Sequence, residues 1–332
     1  MSVVQEQLAR VSLGDIQRPV AVALEEVGGE LQRIVAGDFP IIAAANEHLL
    51  RMKGKLFRPT LLLLSRQAAG VDEPRAVTLA AVVELIHLAT LVHDDSVDHS
   101  ALRRGMPTIN TLFSHQIAVI MGDYLYSRAI IELVKLGDME PLEVFARVTN
   151  EMTVGEMRQL EAHDRLAYSE EQYDQLIRAK TASLLSGACE VGALQAPAPC
   201  RRALARFGLH VGMAFQITDD VLDYTQPEAV TGKPSGLDLK EHKVTLPLIA
   251  ALGRMAPAER ARVAQLMDTA EPSDEIVAEV VRAVEAAGGL EYARRRAQQR
   301  AQQAEAELEA LPASPARDAL RDSIAYAVER RS

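Results

Sequence analysis

Apolar positions along this chain recur with the period of an α-helix. Leu79, Val82, Val83, Ile86 and Thr90 follow one another at spacings of three and four, as do Leu204, Phe207, Val211 and Phe215 further on, the pattern of a helix with one face turned to a core. No segment shows a sustained strand-like alternation bounded by turn residues. Glycine and proline interrupt the periodic stretches near Gly70, Gly105-Met106-Pro107, Gly137, Pro197 to Pro199, Pro227 and Pro272, where helices should end. No break is rich enough in Pro, Gly or Ser to act as a domain linker, so the pattern predicts an all-α chain folded as one domain over residues 1–332.

Composition narrows the function more than the fold. Of the 332 residues, 48% are hydrophobic and 25% charged, which places the chain among globular proteins with ample core. The net charge of -10 argues against a nucleic-acid surface, which needs a broad excess of Lys and Arg. An anionic ligand would have to be met by metal ions or locally clustered bases. Cys189 and Cys200 have no metal-ligand spacing and form no disulfide framework, as expected of a reduced, cytoplasmic protein. The N-terminus lacks the marks of a signal peptide, and no uninterrupted apolar run approaches the ~18 residues of a membrane span; loose association with a membrane through a greasy product remains compatible. The Arg- and Gln-rich stretch Tyr292 to Leu311 reads as an exposed amphipathic helix with a solvated face.

Two five-residue segments, Asp94-Asp95-Ser96-Val97-Asp98 and Asp219-Asp220-Val221-Leu222-Asp223, carry three carboxylates each. On a helix, residues four apart share a face, so Asp94 projects with Asp98 and Asp219 with Asp223. Packing carboxylates so closely raises a repulsion that a cation or a shifted pKa must relieve. Magnesium suits the task, because it takes oxygen ligands and commonly shares itself between one or two carboxylates and a substrate phosphate. A single such segment would read as an acidic turn or a helix N-terminus. Two of them, each preceded by an apolar run (Leu-Ala-Thr-Leu-Val-His and Met-Ala-Phe-Gln-Ile-Thr), point instead to carboxylates on otherwise buried helices. His87, two turns before Asp94, and Gln216, three residues before Asp219, stand on the same faces and could donate to phosphate. Bases recur nearby: Lys55 and Arg58, Arg103 and Arg104, Lys180 beside Thr181, then Lys233 and Lys243. Arginine grips phosphate bidentately and lysine acts as a point charge.

Taken together, the Gly54-Lys55-Leu56-Phe57-Arg58-Pro59 segment, the first acidic motif with Arg103-Arg104-Gly105 after it, Gly122-Asp123, Lys180-Thr181, Phe215-Gln216, the second acidic motif and Lys243-Val244-Thr245-Leu246-Pro247-Leu248 resemble the trans-isoprenyl diphosphate synthases of the polyprenyl synthetase family. The resemblance runs from about Leu50 to the Arg-rich C-terminus. It implies the isoprenoid synthase fold, antiparallel helices around a central cavity, in a homodimer whose substrates are an allylic diphosphate and isopentenyl diphosphate. It also implies up to three Mg²⁺ ions, replaceable by Mn²⁺, held by Asp94 and Asp98 on one side and Asp219 and Asp223 on the other. Carried over by position, Lys55, Arg58, His87 and Arg104 correspond to the isopentenyl diphosphate site, and Arg103, Lys180, Thr181, Gln216, Lys233 and Lys243 to the allylic diphosphate site. Asp94, Asp95, Asp98, Lys180, Asp219, Asp220 and Lys233 would carry the catalysis. One departure stands out: Glu241-His242 precede Lys243, where many relatives have a glycine directly before the lysine.

Product length should depend on what blocks the cavity below the first motif. Ala89 and Thr90, five and four residues before Asp94, are small where fifteen-carbon synthases carry an aromatic, so the resemblance implies a product of about thirty to fifty carbons. A floor residue deeper down, on the helix around Gly122 to Ile131, could shorten it to a geranylgeranyl or farnesyl product. A terpene cyclase would share the acidic motifs but need no second set of bases and would be richer in aromatics than 4%. A regulatory subunit of a heteromeric synthase would be expected to have lost carboxylates, and both motifs are intact.

Overall fold

The computed structural model describes residues 11–52, 54–72, 74–161, 165–225 and 236–329. These are helical almost throughout, as the periodicity predicts. The chain forms two compact units from interleaved segments: residues 1–149, 184–205 and 310–322 build one, and residues 150–183, 206–309 and 323–332 the other.

The first unit is organised on the helix Ala76–Val97, packed against Ala21–Val35, Phe57–Ala68 and His115–Lys135. Leu79, Ala80, Ala81, Val82, Val83 and Leu85 are all essentially inaccessible. A helix apolar on every side is a core helix. Ala76–Val97 has the length and composition to cross a bilayer, but most of that window is buried inside the protein. Its approach to His115–Lys135 is close enough to require glycine: a Cβ on Gly122 would stand 2.2 Å from Nε2 of His93.

One local feature departs from the helical expectation. Leu102–Arg103 and Met106–Pro107 pair as a two-residue antiparallel ribbon, Leu102 opposite Pro107 and Arg103 opposite Met106. Arg104 and Gly105 at its tip have φ of 52° and 75°, so both central residues of the turn are left-handed, the tight hairpin geometry that suits two-residue loops. The glycine at this break therefore turns the chain back on itself, and that reversal aims the two arginines.

The second unit is built on the distal part of the helix Ala198–Thr225 and on Glu170–Ile177, Leu246–Leu252, Pro257–Asp268, Asp274–Ala286 and Gly289–Leu308. One apolar cluster gathers Leu239, Leu248, Val263, Leu266, Val277 and Val280, and another Tyr173, Ile177, Met213, Ile217, Leu246 and Ala293. The helix Gly289–Leu308 buries Ala293, Ala297, Ala301 and Ala304. Its arginine-rich side, read from sequence as a solvated face, is partly used: Arg296 and Arg300 pair with Asp174 at 3.3 and 2.8 Å, and Arg296 also with Glu170 at 3.1 Å.

Candidate active site

Both acidic motifs lie at the C-terminal ends of long helices. Asp94 and Asp95 fall in the last turn of Ala76–Val97, which Asp98 caps, and Asp219, Asp220 and Asp223 occupy the last two turns of Ala198–Thr225. Carboxylates are disfavoured there, because the helix macrodipole puts partial negative charge at that end. Each motif thus concentrates negative charge where the backbone already opposes it, an arrangement that a bound cation relieves.

Within each motif the three carboxylates divide in the same way. A step of one residue turns the side chain about 100° around the helix, and the middle aspartate accordingly points inward: Asp95 and Asp220 are each 4% exposed. Asp94, Asp219 and Asp223 are half-buried and Asp98 is exposed. The inward carboxylates are held by different partners. Arg103, delivered by the hairpin, donates from Nε to both oxygens of Asp95 at 2.9 and 2.8 Å and approaches Oδ1 with Nη2 at 2.7 Å. Asp220 receives only neutral donors, the Tyr173 hydroxyl at 2.6 Å and the Gln216 amide at 2.9 Å. Burial and then the charge of Asp238 raise the Asp220 pKa, and the same two causes raise that of Asp223.

The bases assigned to isopentenyl diphosphate converge in the first unit. Arg58 is in the first turn of Phe57–Ala68, and burial lowers its pKa to about 10, partly offset by Glu84 and reinforced by Arg104. Its Nε is buried and lacks a hydrogen-bond partner, a donor available to an anion. Arg104 donates from Nη1 to Met52 O at 2.9 Å. His87 is held well below its usual pKa by burial and by Arg58, Arg104 and Arg103; it is therefore a neutral imidazole, able to donate one hydrogen bond but not a charge. Lys55 is exposed just before Leu56, whose φ is 47°. Thr90, expected in the tunnel, donates its hydroxyl to His87 O at 2.8 Å, and Ala89 is 3% exposed.

In the second unit, Lys180 and Thr181 occupy a short π-helical turn, Arg178–Ala182, a local widening often found at functional sites. Lys180 Nζ reaches Glu156 at 2.8 Å and Gln159 at 3.3 Å, while Thr181 donates to Gln216 at 2.8 Å. Lys243 approaches Glu241 at 2.7 Å. His242 before it has φ of 56°, a left-handed conformation that glycine would adopt without cost. Here Nε2 of His242 donates to Thr269 O at 2.8 Å, compensating part of the strain. Lys233 lies outside the described residues.

Three residues escaped the sequence reading. Glu84 is 4% exposed, and its charge partly offsets the effect of burial on Arg58; a Cβ on Gly54 would meet Glu84 Oε1 at 3.1 Å and Arg104 Nη1 at 3.2 Å. A lone carboxylate inside an apolar run was its signal. Asp238 donates its backbone N–H to Asp223 Oδ2 at 3.2 Å and adds a fourth carboxylate beside the second motif. Tyr173, 47 residues from its partner Asp220, left no trace in the sequence.

Among the described residues, no three His, Cys, Asp or Glu side chains converge to enclose a metal ion. The donors present, paired carboxylate oxygens one helical turn apart, fit an oxygen-preferring cation that completes its shell with water and substrate phosphate. Below the first motif, the first unit holds a cavity of about 40 Å³ lined by residues that include Ile86, Tyr126, Ala129, Leu133 and Phe145. Its walls come partly from the helix expected to form a floor and partly from Met139–Glu161.

A helical architecture with an acidic motif closing each of two long helices is that of the isoprenoid synthase fold. The chain belongs to the polyprenyl synthetase family, whose model matches residues 39–284. It is 38% identical to an all-trans-nonaprenyl-diphosphate synthase (geranyl-diphosphate specific) of Rhodobacter capsulatus, covering 95% of this chain and 97% of that protein. It is 36% identical to a short chain isoprenyl diphosphate synthase of Methanothermobacter thermautotrophicus, covering 86% and 89%. Among solved structures, a polyprenyl synthase from Caulobacter crescentus, complexed with calcium and isoprenyl diphosphate, matches with a TM-score of 0.92 at 34% identity, over 97% of this chain and 99% of that one.

Proposed function

We propose that this chain is an all-trans-polyprenyl diphosphate synthase that adds isopentenyl diphosphate units to an allylic diphosphate and releases a product of about C30–C50. The observation that carries the reading is the shared division of the two acidic motifs. In each, one carboxylate is turned inward and held by the protein, while the outer ones sit at the negative end of a helix, where a bound cation would offset their charge.

In this reading Asp94 and Asp98, and Asp219 and Asp223, hold Mg²⁺. The metal supplies charge neutralisation for the leaving diphosphate. Arg58, with its unpartnered Nε, and Arg104, Lys55 and neutral His87 bind and orient the diphosphate of isopentenyl diphosphate. Arg103, Lys180, Thr181, Gln216, Lys233 and Lys243 receive the allylic diphosphate. As the allylic C–O bond breaks, its electron pair leaves on the diphosphate oxygen. The π pair of isopentenyl diphosphate forms the new C–C bond, and a proton passes to the departing diphosphate. The apolar walls around Ile86 and Phe145 keep water from the carbocation and receive the growing tail.

The nonaprenyl relative supports the long product. The size of the cavity favours a second reading, a shorter one: at about 40 Å³ it has room for only a few water molecules at about 10–15 Å³ each, so elongation must displace side chains such as Phe145. A single catalytic domain is supported by the family match, which runs through segments of both units. A homodimer is supported by exposed Ile120 (62%), Ile131 (41%) and Val134 (61%) along one helix, an apolar stripe of the kind that marks interfaces. Unpaired Cys189 and Cys200 support a reducing cytoplasm. Incubating the purified chain with Mg²⁺, allylic diphosphate and labelled isopentenyl diphosphate tests the reading: label should enter chains longer than the primer, and Asp94→Ala should abolish this. Ionisation of the allylic substrate without incorporation would point to a cyclase instead.

A further inference from the structure

The inward carboxylate of the second motif is held differently from that of the first, and the difference identifies a residue whose role lies beyond the diphosphate site. Asp220 accepts hydrogen bonds at both oxygens, from the Tyr173 hydroxyl at 2.6 Å and the Gln216 amide at 2.9 Å, and Gln216 is itself fixed by Thr181 at 2.8 Å. The segment of residues 170–182 therefore grips the motif helix twice, through Tyr173 near one end and Thr181 near the other. Tyr173 is 2% exposed, and its helix is held on the outside. Ser169 and Gln172 form a capping box at its start. Tyr292 donates to Glu170 at 2.6 Å, and Arg300 approaches Asp174 at 2.8 Å.

A carboxylate with both oxygens engaged cannot rotate, and on a helix it fixes its neighbours. Asp219 is adjacent, and Asp223 lies one turn on with its carbonyl receiving Gly236 N–H at 2.8 Å. We propose that Tyr173 is a positioning residue for the second acidic motif, acting through Asp220, which serves as a strut rather than as a ligand of the divalent cation. The proposal rests on the reading that Asp219 and Asp223 hold that cation.

The test is binding of manganese(II) to the full chain in the presence of inorganic diphosphate, followed by electron paramagnetic resonance, alongside the Mg²⁺ dependence of turnover. Losing one ordinary hydrogen bond corresponds to a weakening of up to about tenfold. Tyr173→Phe and Asp220→Asn should each weaken cation binding by about tenfold, and the double variant should be no weaker than either single one, since both cut the same link. The KM for isopentenyl diphosphate should stay within about twofold, whereas a general loss of folding would move every parameter with the melting temperature. Unchanged manganese binding in Tyr173→Phe, or effects that multiply to about a hundredfold in the double variant, would overturn the proposal. Asp219→Ala separates the two claims: if it binds manganese as the unaltered chain does, the metal reading fails. If it loses binding while Tyr173→Phe does not, only the positioning role fails.

Discussion

Removing the Arg103 side chain should destabilise the protein through Asp95. The carboxylate is 6% exposed at its side chain and takes three contacts of 2.7 to 2.9 Å from one guanidinium, itself 33% exposed. Breaking a buried pair by deleting one partner costs about 3–5 kcal/mol, because the remaining charge is stranded. The partial exposure of Arg103 lets water reach the gap, which reduces the expectation to about 2–4 kcal/mol for Arg103→Leu. Urea unfolding of the metal-free chain measures this directly. The double variant Arg103→Leu with Asp95→Leu should recover at least half of the loss, since replacing both partners by apolar groups is often nearly neutral. A cost below about 0.5 kcal/mol for Arg103→Leu, the size of an ordinary surface substitution, or a double variant less stable than the single, would refute a stabilising role for the Arg103–Asp95 pair.

Further expectations concern charge and chain length. Burial and Asp238 push Asp220 up to about 8 and Asp223 to about 7, so the folded chain retains protons that the unfolded chain has already released. Stability from this source is complete below the unfolded carboxylate pKa of ~3.9 and is lost as pH rises through the folded values. The metal-free melting temperature should therefore fall between pH 6 and pH 8.5, Mg²⁺ should raise it more at the higher pH, and Asp220→Asn should flatten the slope; a melting temperature that rises over this interval would contradict the assignment. Phe145→Ala should lengthen the product by at least one five-carbon unit, seen by mass analysis, while costing about 3–5 kcal/mol of stability; an unchanged product distribution would remove Phe145 from the tunnel. His242→Gly should change stability by less than about 1 kcal/mol, because the relieved left-handed strain and the lost hydrogen bond to Thr269 are of similar size.

What the sequence revealed and what it hid follow from the range of each interaction. The helical period placed Asp94 with Asp98 and Asp219 with Asp223, and that period also turns Asp95 and Asp220 away, a consequence available from geometry alone once the segments are read as helices. Arg58, His87 and Arg104 were grouped by the family resemblance rather than by spacing, and their influence on one another's charge comes from the fold. Glu84 was visible as a solitary charge in an apolar run, but its partner Arg58 is set by tertiary packing. Tyr173 could not be read, since a phenol on an amphipathic helix looks like core, and only the fold brings it to Asp220. The hairpin at Gly105 was marked as a break, yet the direction in which it points Arg103 depends on two left-handed residues, of which Arg104 gives no signal. The arginines of Gly289–Leu308 looked solvated because their acidic partners, Glu170 and Asp174, lie more than a hundred positions away.

The central claim, condensation of two diphosphates directed by two acidic motifs, is tested most directly by the mass of the product. The purified chain, given farnesyl diphosphate, labelled isopentenyl diphosphate and Mg²⁺, should yield labelled prenyl chains of about thirty to fifty carbons. Absence of any condensation product would contradict the account, and an end product of twenty carbons would contradict its long-chain form.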